Sequence, residues 1–238
     1  NCSLSFYLAC FTFTLFACCF ATDDRFDKYY KNNNSDVKKI TISFVLVGFP
    51  VKDANFKSEV GQWAEGASEE AQNELKRELN VEIEFDAVSI LTASKDLSAE
   101  IAYRTVYGQM HGPTIATYVK DIYKKSLKPD IICVITKDAF YDDNLNKAKG
   151  FSSYTTLCED MVPILMTYDW YTEDDTPAAG RLLSGLVKSS MDENKWKSSD
   201  PKQNYFNGCN IQYRYKGDTD KNPDTYYMLP YDEDQYYG

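Results

Sequence analysis

An α/β domain built on a mixed sheet with helices packed against it is the fold class predicted by this sequence. Three observations predict it. Apolar runs with strand-like alternation recur between residues 39 and 168, amphipathic stretches of helical period lie between them, and Gly or Pro stands at several of the joins. The order is strand, helix, strand, helix, three strands, helix, then irregular chain, with no internal repeat and one biased stretch, the acidic, tyrosine-rich end.

Lys39 to Val47 alternates and then runs apolar, as a strand does when it passes from half-buried to fully buried. Gly48-Phe49-Pro50 stops it. Phe56, Val60, Trp63, Ala67, Ala71, Leu75 and Leu79 recur at helical spacing and predict a long amphipathic helix over residues 55–79. Val81 to Val88 alternates strictly, as a strand. Gly112-Pro113 opens the next helix, with Ile115, Val119, Ile122 and Tyr123 on one face, and Lys128-Pro129 ends it. Asp130 to Thr136 is apolar enough to be covered on both sides and belongs near the sheet centre. Gly150 to Thr156, rich in Ser, Thr and aromatic residues, fits an exposed edge strand. Met161 to Tyr168 makes one more, in which Pro163 argues against full pairing at its start. Thr176-Pro177 begins a last helix, with Thr176 as its cap and Ala179, Leu182, Leu183, Leu186 and Val187 as its buried stripe.

Leu4 to Phe20 is apolar and uncharged, and Cys19-Phe20-Ala21 puts small residues where a signal peptidase inspects the chain. Residues 1–21 are therefore expected to be a signal peptide, 22–36 a polar linker, and 37–238 the domain. A membrane anchor is the competing reading. It is weakened by several Ser and Thr and by a length at the short edge of what crosses a bilayer of about 30 Å. The chain opens on Asn1 rather than Met, and either end is compatible with a fragment boundary, the C-terminal end included. Asn33-Asn34-Ser35 is a glycosylation sequon, so Asn33 is the expected modified residue. A secreted monomer, free of membrane once the leader is cut, is the expectation.

Lys and Arg total 26 against 36 Asp and Glu, and the net charge of -10 repels nucleic acid phosphates and anionic lipid alike. Of the seven cysteines, Cys133, Cys158 and Cys209 lie beyond the leader. Cys133 sits in an apolar run and reads as a small buried hydrophobe, whereas Cys158 and Cys209 lie in polar surroundings and are the candidate disulfide.

Several local motifs carry a resemblance: His111-Gly112 at a helix start, Lys128-Pro-Asp-Ile-Ile-Cys-Val-Ile-Thr136, Gly150 before the edge strand, Leu157-Cys158, and Tyr227-Met-Leu-Pro230. Together with the element order, over about Lys38 to Pro230, they resemble the metzincin metalloproteases. Specifically, they resemble the reprolysin-like secreted enzymes abundant in the saliva of blood-feeding arthropods. The resemblance implies a mostly parallel sheet with one antiparallel edge strand, and a Met-turn at Met228 beneath a zinc site. It also implies that Phe151, Ser152, Ser153, Tyr154 and Thr155 form the edge strand against which an extended peptide lies.

In that family the helix after the last strand carries H-E-x-x-H-x-x-G-x-x-H. Two histidines one turn apart share a face, a third closes the metal site, and the glutamate is general base for zinc-bound water. Here Arg181 stands at the first ligand position, Leu182 at the base, Gly185 at the second ligand, Lys188 at the turning glycine and Met191 at the third ligand. A lone thioether holds zinc weakly and a guanidinium adds charge where the ion would sit. The cofactor expected from the resemblance is zinc, and its ligands are absent from these positions.

The sole histidine, His111, reads as a residue that packs or caps at a helix start, since no nucleophile signature flanks any Ser or Cys. Tyr103, Tyr107 and Tyr118 read as packing or surface aromatics. Asp142-Asp143, Glu173-Asp174-Asp175 and Asp218-Asp220 could serve calcium, although such runs are more often solvated loops. The tail from Tyr226 to Gly238, with tyrosines beside carboxylates, is a candidate docking or sulfation segment. The expected function is that of a pseudo-metalloprotease, catalytically inactive and binding an extracellular protein or peptide. The alternative is an active zinc endopeptidase whose ligands lie elsewhere in the chain.

Overall fold

In chain order the elements are β1 (Lys38–Leu46), α1 (Glu59–Leu79), β2 (Ile83–Thr92), α2 (Lys95–Arg104), β3 (Gln109–His111), α3 (Gly112–Ile122), β4 (Ile131–Thr136), β5 (Ala139–Tyr141), β6 (Gly150–Phe151), β7 (Val162–Thr167), α4 (Thr176–Ser189) and α5 (Glu193–Ser198). Short 3-10 turns lie at Val51–Asp53, Tyr123–Lys125 and Lys202–Gly208. The computed structural model describes residues 37–125, 128–144, 146–168 and 176–210, all within the unit Val37–Gly238. The leader, the linker with Asn33, Met228 and the tyrosine-rich tail lie outside the described residues.

The main sheet runs β2-β1-β4-β7-β6, parallel throughout except for β6, which pairs antiparallel with β7 at the edge. This is the mixed, mostly parallel α/β architecture with one antiparallel edge strand. The strands are paired on both edges where the sequence is most apolar: every residue of β4 is buried, as expected for the run from Asp130 to Thr136. Alternation sends Ile40, Ile42, Phe44 and Leu46 of β1 to one face, where they meet Val60, Ala64, Ala67, Ala71 and Leu75 of α1 and Leu183 and Val187 of α4. Val45 and Val47 go to the other, against Leu97 and Ile101 of α2 and Ile115, Ala116 and Val119 of α3. Three layers result, with helices on both faces as parallel strands require. Among the described residues no helix is long and apolar enough to cross a membrane.

Several boundaries differ from the sequence reading. The long helix begins at Glu59 rather than Asn55, because the Ser58 hydroxyl caps it by accepting from Gly61 N at 3.0 Å. β2 runs on to Thr92, well past Val88. Helix α2, capped by Ser94, had no counterpart in the periodicity, since it buries only Leu97 and Ile101. The small parallel pair of β3 and β5 was not anticipated either, at three residues each. Thr176 is the first described residue of its helix, and the residues before it lie outside the described set. Pro163 is paired with β4 on one side only, since β6 reaches no further along β7 than Leu165.

The end of the sheet is closed by one buried carboxylate. Asp130 Oδ2 accepts from Thr41 N and Thr41 Oγ1, both at 2.8 Å, and both of its oxygens accept from Asn210 N at 3.0 Å. Asp130 N returns a bond to Thr41 Oγ1 at 2.9 Å. The carboxyl thus joins β1, the entry to β4 and the chain just past Cys209, which is bonded to Cys158 as expected of that pair. Cys133 is free and buried within β4.

Burial pushes the Asp130 carboxyl from 3.8 up to about 6, against hydrogen bonds from Thr41 and Asn210 that favour its ionised form. Between those two values the folded chain keeps a proton that the unfolded chain has released. The stabilisation is therefore present at the low end of the window and is lost as pH rises through about 6. Asp130→Asn cannot ionise and presents a donor where donors already point, so a loss of about 1–3 kcal/mol is expected. Urea unfolding across this window should show the native chain's advantage over Asp130→Asn shrinking as pH rises. An advantage independent of pH would contradict it.

Candidate functional site

Helix α4 carries the positions that the family resemblance marks for metal and base. Its inner face is Ala179, Gly180, Leu183, Ser184 and Val187, all buried. Gly180 lies so close to α1 that a Cβ there would come within 3.1 Å of Ala67 O and closer still to the Glu70 side chain. A bulkier residue would force α4 outward, so this contact fixes both its distance from α1 and its rotation.

With that face fixed, the outer face follows from the helical period. Arg181 and Gly185, one turn apart, are both exposed. A Cβ on Gly185 would meet nothing within 4 Å. Arg181 makes no ion pair among the described residues. Leu182 is half-buried and, with Leu186, lies over Gly150 of β6: a Cβ on Gly150 would stand 2.7 Å from Leu186 Cδ1 and 3.1 Å from Leu182 Cδ2. The helix ends at Ser189 and the chain bends at Ser190, whose hydroxyl donates to Leu186 O at 2.8 Å and whose carbonyl accepts from Leu157 N at 3.0 Å. Met191, 8% exposed, is packed into the same cluster as Leu183 and Val187, and Asp192 caps α5 through Lys195 N at 2.9 Å.

These residues do not fit a zinc ion. Zinc needs three protein donors or more from Cys, His, Asp or Glu; the corresponding positions hold a guanidinium, a glycine and a thioether committed to the core. Leu182, where a base would act, has no proton acceptor. Among the described residues no group of three or more His, Cys, Asp or Glu is placed to hold a metal ion. Of the acidic runs, Asp142-Asp143 is described, with Asp142 Oδ1 accepting from Asn144 N at 2.7 Å in a local turn. The runs at 173–175 and 218–220 lie outside the described residues.

His111 ends β3. Its Nδ1 lies 2.7 Å from Thr114 Oγ1 and its ring stands 5.3 Å from that of Tyr141, a packed and hydrogen-bonded helix-start residue whose side chain does not cap α3.

The edge strand needs correction. Strand pairing covers Gly150 and Phe151 and stops there; Ser152, Ser153, Tyr154 and Thr155, expected within the strand, are irregular. The side chains of Ser152 and Tyr154, not a ladder, hold the segment. Ser152 Oγ lies 2.7 Å from Ser190 Oγ at the end of α4. The Tyr154 hydroxyl donates to Thr117 Oγ1 at 3.3 Å on α3, and the Lys120 ammonium lies 4.3 Å over its ring. Lys120 and Lys128 also flank Asp160, at 3.1 and 3.4 Å. Partial burial pushes the Asp160 carboxyl up, but the Lys120 hydrogen bond and the two ammonium charges outweigh it and hold the group below its ordinary range. Sequence reasoning missed this clasp because its members, Thr117, Lys120 and Asp160, carry no motif and meet only in the fold.

No family model matches this chain. No curated protein matches it either. A search of solved structures finds a likeness to the crystal structure of archaemetzincin from Methanopyrus kandleri, at 10% sequence identity and a TM-score of 0.39, covering 75% of this chain and 88% of that one.

The geometry of α4 gives a paired expectation. Gly150→Val should cost about 1–3 kcal/mol, because its methyls must displace Leu182 and Leu186. Gly185→Ala, pointing into open space on an exposed helix, should add about 0.5–1 kcal/mol. Chemical denaturation of both variants checks this; equal effects would mean that α4 is rotated from the position described.

Proposed function

We propose that this chain is a secreted pseudo-metalloprotease of metzincin type, in which the helix-and-edge-strand cleft of a peptidase serves to bind an extracellular protein or peptide. One observation supports the reading above others. The helix face that would carry the metal and the base presents Arg181, Gly185 and a half-buried Leu182, with neither a metal ligand nor a base to activate water at these positions. What such a face can do is bind. Leu182 and Leu186 offer apolar surface beside Gly150, Arg181 offers an exposed guanidinium, and β6 leaves one edge without a strand among the described residues. An extended segment laid along that edge gains main-chain hydrogen bonds from the strand and side-chain contacts from the leucines.

Secretion enters this reading through the apolar leader and the Asn33 sequon, and is supported by the Cys158–Cys209 disulfide, which belongs to an oxidising compartment. Reprolysin kinship enters through the motifs alone.

The purified chain is expected to leave casein and gelatin intact with zinc supplied, and a chelator should change neither the assay nor the melting temperature. Cleavage that a chelator abolishes would contradict the proposal and favour an active endopeptidase with ligands elsewhere in the chain.

A further inference from the structure

The sequence contains one Asn-Gly step, Asn207-Gly208, and it closes the 3-10 turn Lys202–Gly208 just ahead of the disulfide at Cys209. Such a step is chemically distinct from other asparagine sites. The main-chain nitrogen after an asparagine can attack the side-chain amide carbon, and only glycine leaves that nitrogen with no Cβ beside it. Space dictates the glycine here: a Cβ on Gly208 would run into the carbonyl oxygen of Cys158. Packing around the disulfide therefore sets an unshielded amide next to an asparagine.

The reacting groups are loosely held. Asn207 is exposed, and its side-chain amide donates to Asn204 Oδ1 at 3.4 Å, a long bond between two exposed residues. Gly208 is the last residue of its turn, and the ends of helical turns open locally more readily than the fold as a whole. Opening there frees the Gly208 amide. The flanks, by contrast, are fixed. Phe206, 1% exposed, sets its ring 5.1 Å from that of Tyr205 and 6.1 Å from that of Trp196. Cys209 is bonded to Cys158, and Asn210 N reaches both oxygens of Asp130 at 3.0 Å.

We propose that Asn207–Gly208 is a site of self-modification whose product lengthens the chain between these anchors and pulls Asn210 away from Asp130. Gly208 N bonds to Asn207 Cγ, the Cγ–Nδ2 bond breaks, and Nδ2 departs as ammonia with the proton that Gly208 N gives up. Water then opens the cyclic imide. Cleavage between the nitrogen and Cγ leaves aspartate; cleavage between the nitrogen and the Asn207 main-chain carbonyl carbon leaves isoaspartate, whose backbone carries an extra methylene. Nothing is oxidised or reduced. Either product also places a negative charge at the carbonyl end of the turn, where it is disfavoured.

The test incubates the intact, oxidised chain at neutral pH and follows it over weeks by peptide mass spectrometry that separates isoaspartate from aspartate. Asn207 is expected to convert ahead of every other asparagine, the exposed Asn144 and Asn146 included, with isoaspartate among the products. The aged chain should melt about 2–4 °C lower, with faster hydrogen exchange at the Asn210 amide. Asn207→Gln, whose longer side chain cyclises slowly, should keep its melting temperature through the same incubation. Asn207 left intact, another asparagine converting first, conversion that alters neither melting nor Asn210 exchange, or an equal loss in Asn207→Gln would each overturn the proposal.

Discussion

The seating of α4 on α1 is the constraint from which the character of this molecule follows. Gly180 lets the helix approach until a Cβ in its place would clash with the Glu70 side chain on α1, and Leu183, Ser184 and Val187 then fill the space above the sheet. Once that face is set, the period of 3.6 residues leaves no choice for the others. Arg181 and Gly185 go to solvent, Leu182 and Leu186 go to the edge strand, and the bend at Ser190 carries Met191 back into the core. These positions thus hold a cation, a glycine and a buried thioether, and among the described residues no group of three or more His, Cys, Asp or Glu is placed to hold a metal ion.

The rest of the architecture holds these elements in place. Asp130 joins two central strands to the chain beyond Cys209, and the disulfide fastens that same chain to the loop after β6. On the way, Lys120 grips Tyr154 and Asp160, so the segment following the short edge strand is clamped by charge and aromatic contact where strand pairing has ended. A binding surface gains from such fixing, because little entropy remains to be lost when a partner arrives.

Much of the fold was legible in the sequence wherever burial imposed a period. β1, β4, β7, α1, α3 and α4 were all visible as apolar runs or helical stripes, and the placing of β4 at the sheet centre followed from its unbroken apolar run. Legibility failed where few residues are buried: α2 rests on Leu97 and Ile101 alone, and β3 and β5 are too short for alternation to register. It also failed at Ser152 to Thr155, whose composition suits a strand but whose neighbours are side chains on α3 and α4. That α4 carries no His, Cys, Asp or Glu could be read directly. That Leu182 and Leu186 close over Gly150, and that Tyr107 is exposed at a φ of 51°, required the fold, since neither depends on residue type alone.

The central claim is chemical: the exposed face of α4 lacks the lone pairs that a transition metal requires. Calorimetric titration of zinc into the native chain tests it most directly. Heats no larger than those of loose, salt-suppressed surface association are predicted, with nothing near one equivalent. A sharp equivalence point at one zinc per chain that persists at high salt would contradict the account.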